Sequence, residues 1–203
     1  MTPSTTRRAQ IEGPAGRLEV VANVPETSPV GLALVAHPLP THGGTLDNKV
    51  VQTLAKTFFA MGYASVRFNF RGVGQSAGAF DEGIGETEDA MAALGWAQRE
   101  LGASLPLVLA GFSFGTFVQT RVAERVTPQR MVLVGPAVKR FDVGNVPADT
   151  IVIHGEEDEV VPLADVFAWA RPQELPVVVF PGCTHFFHGR LTQLQRVITG
   201  MWT

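Results

Sequence analysis

The sequence predicts an α/β fold, a mainly parallel sheet buried between helices on both faces, and three observations carry that expectation. Short, almost wholly apolar runs recur, as at Val30–His37 (VGLALVAH) and Leu105–Gly111, and such runs suit strands covered on both sides. From Val30 to the C-terminus these runs alternate with segments of helical spacing. That order implies parallel strands joined by right-handed crossovers. Finally, 203 residues with 45% hydrophobic content suffice for one domain with a sizeable core.

The elements follow in order. Arg17–Val24 reads as a strand, and Val30–His37 as the next. Asn48–Met61 reads as a helix with Val50, Val51, Leu54 and Phe58 along one side. Ala64–Phe70 is a strand alternating around Arg67 and Asn69, and the Gly-rich Gly72–Gly85 is a long loop. A helix over Glu86–Leu101, a strand over Leu105–Gly111 and a helix over Gly115–Val126 come next. Arg130–Val134 and Thr150–His154 are strands, and Pro162–Ala170 is a helix whose Pro suits the first turn. Val177–Phe180 is the last strand and Arg190–Met201 the last helix. No internal repeat, low-complexity tract or linker interrupts them. The expected organisation is a tail over residues 1–15 and one domain over 16–203.

Composition narrows the function classes. The net charge is −3 and no Lys/Arg-rich run occurs, which argues against nucleic acid as a partner. The pair Arg7-Arg8 lacks the apolar stretch an export signal needs, because Ala9–Arg17 is mixed and Gly-containing, so a ragged N-terminus is expected there. No apolar run approaches a membrane span of about 18 residues. Cys183 is the only cysteine, so no intrachain disulfide can form, and a reducing, cytoplasmic location is the expectation. Nothing in the residues sets an oligomeric state.

The chemistry begins at Gly111-Phe112-Ser113-Phe114-Gly115, a G-x-S-x-G pattern set between a strand and a helix. A serine that attacks a carbonyl must stand out on a sharp turn, and residues two before and two after it would collide there. Glycines at 111 and 115 remove that collision. The Phe114 N–H opens the helix and can meet a developing oxyanion. The bland alternative is a Gly-rich turn with Ser113 as a helix N-cap.

A serine nucleophile needs a base, and the base an orienting carboxylate. In this architecture the acid and then the histidine follow the serine. Four acids, Glu156, Glu157, Asp158 and Glu159, cluster after the Thr150–His154 strand. Position favours Asp158, which leads into the Pro162 helix, but the residues alone do not separate the four. Two histidines, His185 and His188, follow the last strand. His185 lies nearer the strand end and is the expected base, and His188 reads as the start of the final helix. His37, His42 and His154 precede the last strand, and His154 reads as a satisfied core histidine. Cys183 is off any strand-to-helix elbow and reads as a small buried residue.

A second oxyanion donor is expected from the loop His37-Pro38-Leu39-Pro40-Thr41-His42-Gly43-Gly44-Thr45. Prolines carry no N–H, so Leu39 is the donor left between Pro38 and Pro40. At this point the chain resembles the small, lidless bacterial α/β-hydrolases near the dienelactone-hydrolase-like group. Five stretches carry the resemblance: the 37–45 loop with Asn48-Lys49-Val50-Val51; Arg67 to Ser76; Gly111 to Gly115; His154-Gly155 with Asp158 and Val161-Pro162; and His185-Phe186-Phe187-His188-Gly189. The resemblance implies an α/β-hydrolase fold and a triad of Ser113, Asp158 and His185, and it singles out Asp158 among its acidic neighbours. Dienelactone hydrolases carry cysteine at the elbow, so their activity does not transfer to a chain with serine. Arg71 matches a structural turn of the superfamily, and Lys49 reads as solvated.

Only Gly135–Asp149 separates two late strands, too few residues for a helical cap. The site is therefore expected to be open and shallow, near Leu39, Phe114, Phe186 and Phe187, with Phe186 and Phe187 contacting substrate and short acyl groups preferred. The expected substrate is a small ester or thioester, and no cofactor or metal is expected, since the histidines lack ligand spacing. Two alternatives stand beside this: a peptidase or amidase with the same triad, and a hydrolase fold kept as a non-catalytic binding protein.

Overall fold

The structure, a computed structural model, describes residues 4–202. One eight-stranded sheet runs in the order β1-β2-β4-β3-β5-β6-β7-β8. Its strands are β1 (Ser4–Gly13), β2 (Gly16–Pro25), β3 (Leu32–Ala36), β4 (Ala64–Phe68), β5 (Leu107–Phe112), β6 (Arg130–Val134), β7 (Ile151–Gly155) and β8 (Val177–Phe180). From β4 to β8 all neighbours are parallel, whereas β2 is antiparallel to both β1 and β4. The helices are α1 (Lys49–Ala60), α2 (Ile84–Leu101), α3 (Phe114–Ala123), α4 (Leu163–Ala170) and α5 (Leu191–Gly200). The α/β class is as the sequence indicates, and among the described residues no cap is inserted between these elements.

The expected tail is a correction. Ser4–Gly13 is a strand paired with β2 in register from Ser4↔Pro25 to Gly13↔Gly16. As an edge strand it leaves most of its side chains in solvent, so Thr, Arg and Gln suffice and no apolar run marks it. β4 also departs from expectation: its five residues are all buried. Arg67 lies within the covered sheet and donates through Nη1 to the Leu46 carbonyl at 2.8 Å.

The apolar runs bury themselves in two layers. On one face, Val50, Val51, Leu54 and Phe58 of α1 and Leu194 and Ile198 of α5 pack against Val35, Val108, Ala110 and Val132. On the other, Ala90, Ala93 and Leu94 of α2 and Val118 and Val122 of α3 pack against Leu34, Val66, Leu109 and Leu133. α1 starts where Asn48 caps it, its side chain accepting from the N–H groups of Val50 and Val51. α2 starts two residues before the expected Glu86. The fully buried Glu86 carboxylate accepts from the N–H groups of Asp81 and Gly83 at 2.9 and 2.7 Å, which closes the helix N-terminus. The Gly-rich loop before it is held by Arg71, whose guanidinium forks onto the buried Asp89 at 3.0 Å through both Nε and Nη2. Arg71 is thus structural, as expected.

The chain turns from β3 to β4 on one side and reaches β5 on the other. The carboxyl ends of β3 and β5 therefore emerge side by side at a topological switch point, where α/β sheets place their ligand crevices. Gln119 of α3 pins this junction, its Nε2 donating to the carbonyls of Leu34 at 2.9 Å and Ala110 at 3.0 Å.

Candidate active site

Ser113 closes β5 and opens α3 with φ 53 and ψ −121, a left-handed conformation that is costly for any residue with a Cβ. The turn is tight enough to dictate its glycines. A Cβ on Gly111 would meet the Gly115 backbone at 2.5 Å, and one on Gly115 would meet the Ala36 carbonyl oxygen at 2.4 Å. The second contact also draws the start of α3 against the loop after β3. Ser113 makes no side-chain cap for α3, so the N-cap alternative fails. Its Oγ stands 3.0 Å from His185 Nε2 instead.

His185 is buried between β8 and α5. Its Nδ1 lies 2.6 Å from Asp158 Oδ2. A carboxylate only accepts, so Nδ1 carries the proton of the neutral ring and Nε2 presents its lone pair to Ser113. The Phe112 ring, 5.0 Å away between centroids, and Phe186, edge-on at 5.2 Å, wall the imidazole. Gly135 makes room for it, since a Cβ there would approach His185 Cε1 to 3.3 Å. Asp158 Oδ1 accepts from the N–H groups of Val160 and Val161 at 2.9 and 2.7 Å. Burial alone would raise the Asp158 pKa. The bonds from His185 and Val161 outweigh it and hold the carboxyl below its ordinary value.

Three of the four acids after β7 stay outside: Glu156, Glu157 and Glu159 are exposed, and Asp158 is buried. His188 is a correction, because it sits in the turn ahead of α5, which begins at Leu191. His154 is half of one. It is buried with Nε2 donating to the Val161 carbonyl at 2.9 Å, but its Nδ1 has no partner among the described residues. Its Nε2 also lies 3.4 Å from Asp158 Oδ2, a neighbour of the acid that residue spacing does not reveal. Cys183 is buried as expected, and burial pushes its thiol pKa up.

The loop after β3 is held from within. His42 and Gly44 donate their N–H groups to the Leu39 carbonyl at 3.1 and 3.0 Å. His37 bonds through Nδ1 to the Pro38 carbonyl at 2.6 Å and accepts the Phe70 N–H on Nε2 at 3.1 Å. Both ring nitrogens are used by the neutral ring, and burial lowers the His37 pKa from 6.5 to about 3. The N–H groups of Leu39 and Phe114 have no acceptor among the described residues.

The His37 geometry makes a stability prediction. A group with a depressed folded pKa contributes stability above its unfolded value and loses it as pH falls toward the folded one. The window here runs from pH 6.5 down to about 3. Between pH 7 and 5 the unfolding free energy should drop by about 2 kcal/mol on this account. His154, lowered for the same reason, adds in the same direction. Urea unfolding at both pH values should show that loss in wild type and a smaller one in His37→Gln; equal losses would refute the assignment.

A cavity of about 450 Å³ opens over Ser113 and His185. Pro38, Leu39, Gly43 and Gly44 form one wall, Ala137 and Lys139 to Phe141 supply another, and Val160, Val161 and Phe186 complete it. Of the two phenylalanines expected at the substrate, Phe186 lines the cavity and is exposed, whereas Phe187 is a correction. Its φ of 52 turns it inward, where it is fully buried and packs edge-on against Phe180 at 5.5 Å.

Comparison with known proteins agrees with this arrangement. A family model described as X-Pro dipeptidyl-peptidase (S15 family) matches residues 15–145. An α/β serine hydrolase homologue from Coxiella burnetii shares 38% identity over 100% of this chain and 99% of its own, with a TM-score of 0.90. An α/β serine hydrolase without a lid from Xanthomonas campestris shares 36% identity over 99% of this chain and 95% of its own, with a TM-score of 0.91. An uncharacterised protein of Rickettsia prowazekii is 32% identical, covering 92% of this chain and 84% of that protein.

Proposed function

The chain belongs to the S15 family within the α/β serine hydrolases, and from the geometry of its site we propose that it is a lidless esterase cleaving short-chain carboxylic esters or thioesters. The observation that carries the reading is the chain of contacts from Ser113 Oγ to His185 Nε2 at 3.0 Å and from His185 Nδ1 to Asp158 Oδ2 at 2.6 Å. In this reading Ser113 is the nucleophile, His185 the base and Asp158 the orienting acid. This reading places the chain near the dienelactone-hydrolase-like group, with serine in place of cysteine at the elbow. The lone cysteine, a free buried thiol, favours a cytoplasmic setting.

The steps follow from the geometry. Ser113 Oγ attacks the acyl carbon as its proton passes to His185 Nε2. The carbonyl electrons move onto oxygen, which the N–H groups of Leu39 and Phe114 receive. Asp158 holds the imidazolium charge through Nδ1. The bond to the leaving oxygen or sulfur breaks as His185 returns the proton to it. Water then enters and attacks the acyl-enzyme as it gives a proton to His185, and His185 passes that proton to Ser113 Oγ as the bond to the acyl carbon breaks and the acid leaves.

Open walls and the absence of a cap favour small acyl groups. Hydrolysis of p-nitrophenyl acetate and butyrate should exceed that of the dodecanoate in kcat/KM by about tenfold or more, because an exposed chain gains little from burial. A fluorophosphonate should label the protein at Ser113. Faster turnover of the long chain would overturn the size preference, and no turnover with no label would leave a non-catalytic binding protein. The S15 model favours a second reading, a peptidase releasing X-Pro dipeptides. Cleavage of an aminoacyl-prolyl p-nitroanilide faster than of p-nitrophenyl butyrate would establish it.

A further inference from the structure

The cavity over Ser113 is apolar at its floor, with Leu39, Phe114, Phe141, Val161 and Phe186 among its walls. Its charged lining residues are of one sign. Lys139 and Arg140 line it, and no Asp or Glu does. This bias runs against a chain with 19 acids and 16 Lys/Arg. Both cations are exposed at the rim, and neither comes within 4.0 Å of a carboxylate among the described residues. Arg140 is also oriented, its guanidinium carbon 5.4 Å from the centroid of the Phe141 ring, which itself lines the cavity. Asp158 is committed to His185 and the 160–161 backbone. Glu159 faces the His185 N–H at 3.4 Å. Asp142 and Asp165 line an adjoining hollow that Lys139 also borders, without an ion pair to it within 4.0 Å.

We propose that Lys139 and Arg140 form an anion subsite, and that the substrate is a small ester bearing an anionic group such as a carboxylate in addition to the scissile carbonyl. This rests on the esterase reading and names the substrate class for it. Two unpaired cations beside apolar walls attract an anion more strongly than they would in bulk water, because the walls exclude high-dielectric solvent. The same lining opposes substrates with a free amino terminus. An X-Pro dipeptide carries an ammonium, which needs a carboxylate to receive it, and here it would meet two positive charges.

Two matched pairs of probes test the subsite. The acyl-side pair is mono-p-nitrophenyl glutarate against p-nitrophenyl valerate, equal in carbon count. The alcohol-side pair is 3-carboxyphenyl acetate against 3-methylphenyl acetate. After subtraction of the enzyme-free rate, the anionic member of at least one pair should show a kcat/KM about tenfold higher at low salt, falling as ionic strength rises. The doubly substituted Lys139→Gln/Arg140→Gln protein should bring that ratio near one, and Lys139→Glu/Arg140→Glu should invert it. The ratio within each protein is the readout, so a general loss of activity does not imitate the effect. Equal rates in both pairs, with Ser113 still labelled by fluorophosphonate, would overturn the subsite and leave the esterase reading intact. No turnover of any probe and no label would remove both.

Discussion

Ser113→Ala should lower kcat/KM for p-nitrophenyl butyrate by at least about 10⁴-fold, toward about 10⁶-fold, and abolish fluorophosphonate labelling. Among the described residues no other nucleophile stands on His185 Nε2. Cys183 is buried with its thiol pKa raised, and the Thr116 hydroxyl donates to the Ser113 carbonyl. What survives should be the modest catalysis of the oxyanion donors and binding alone. The same position carries a stability prediction of opposite sign. With φ 53 and ψ −121, a Cβ at residue 113 is strained in both serine and alanine, whereas glycine adopts such angles freely. Ser113→Gly should therefore unfold at higher urea than Ser113→Ala, by about 1 kcal/mol, while being just as inactive. Activity retained in both variants would mean that the elbow is only structural.

Much of the sheet was legible because strands covered on both faces must be apolar throughout. Leu32–Ala36 and Leu107–Phe112 are wholly buried, and no other composition could fill those places. β1 was not legible for the converse reason: an edge strand with exposed Thr, Arg and Gln has backbone pairing to hold it and little apolar signature. The elbow was readable because its glycines answer a local collision. Partners set by distant parts of the chain were not. Gln119 clamping β3 to β5, Gly135 clearing space for His185, and His154 beside Asp158 follow from tertiary placement alone. Phe186 and Phe187 show the limit most plainly. They are chemically identical neighbours, and a single left-handed φ at Phe187 sends one to the cavity and the other to the core.

Asp158→Asn should lower kcat by about 10⁴-fold at neutral pH with KM little changed, the effect of holding the wrong tautomer of the base. The substituted side chain can still accept the Val160 and Val161 N–H groups on its amide oxygen, so the turn after β7 persists. Its amide nitrogen would then face His185 Nδ1 where a carboxylate oxygen stands now, at 2.6 Å. A donor at that place forces Nδ1 to accept, moves the ring proton to Nε2 and leaves no lone pair for the Ser113 proton. The neighbouring His154 sharpens the effect. Its Nε2–H points to the Val161 carbonyl and lies 3.4 Å from the same Asp158 oxygen, so an amide nitrogen would face a second donor and some stability should be lost as well. The three exposed acids provide the control. Glu156→Gln, Glu157→Gln and Glu159→Gln should each change kcat by less than about threefold, as exposed charges contribute little. Glu159 is the informative one, since its carboxylate reaches the His185 N–H at 3.4 Å but not the ring. A large loss in Glu159→Gln with a small one in Asp158→Asn would transfer the orienting role to Glu159. The opposite pattern, with fluorophosphonate labelling slowed in step with kcat, would fix the role on the one buried carboxylate of the four.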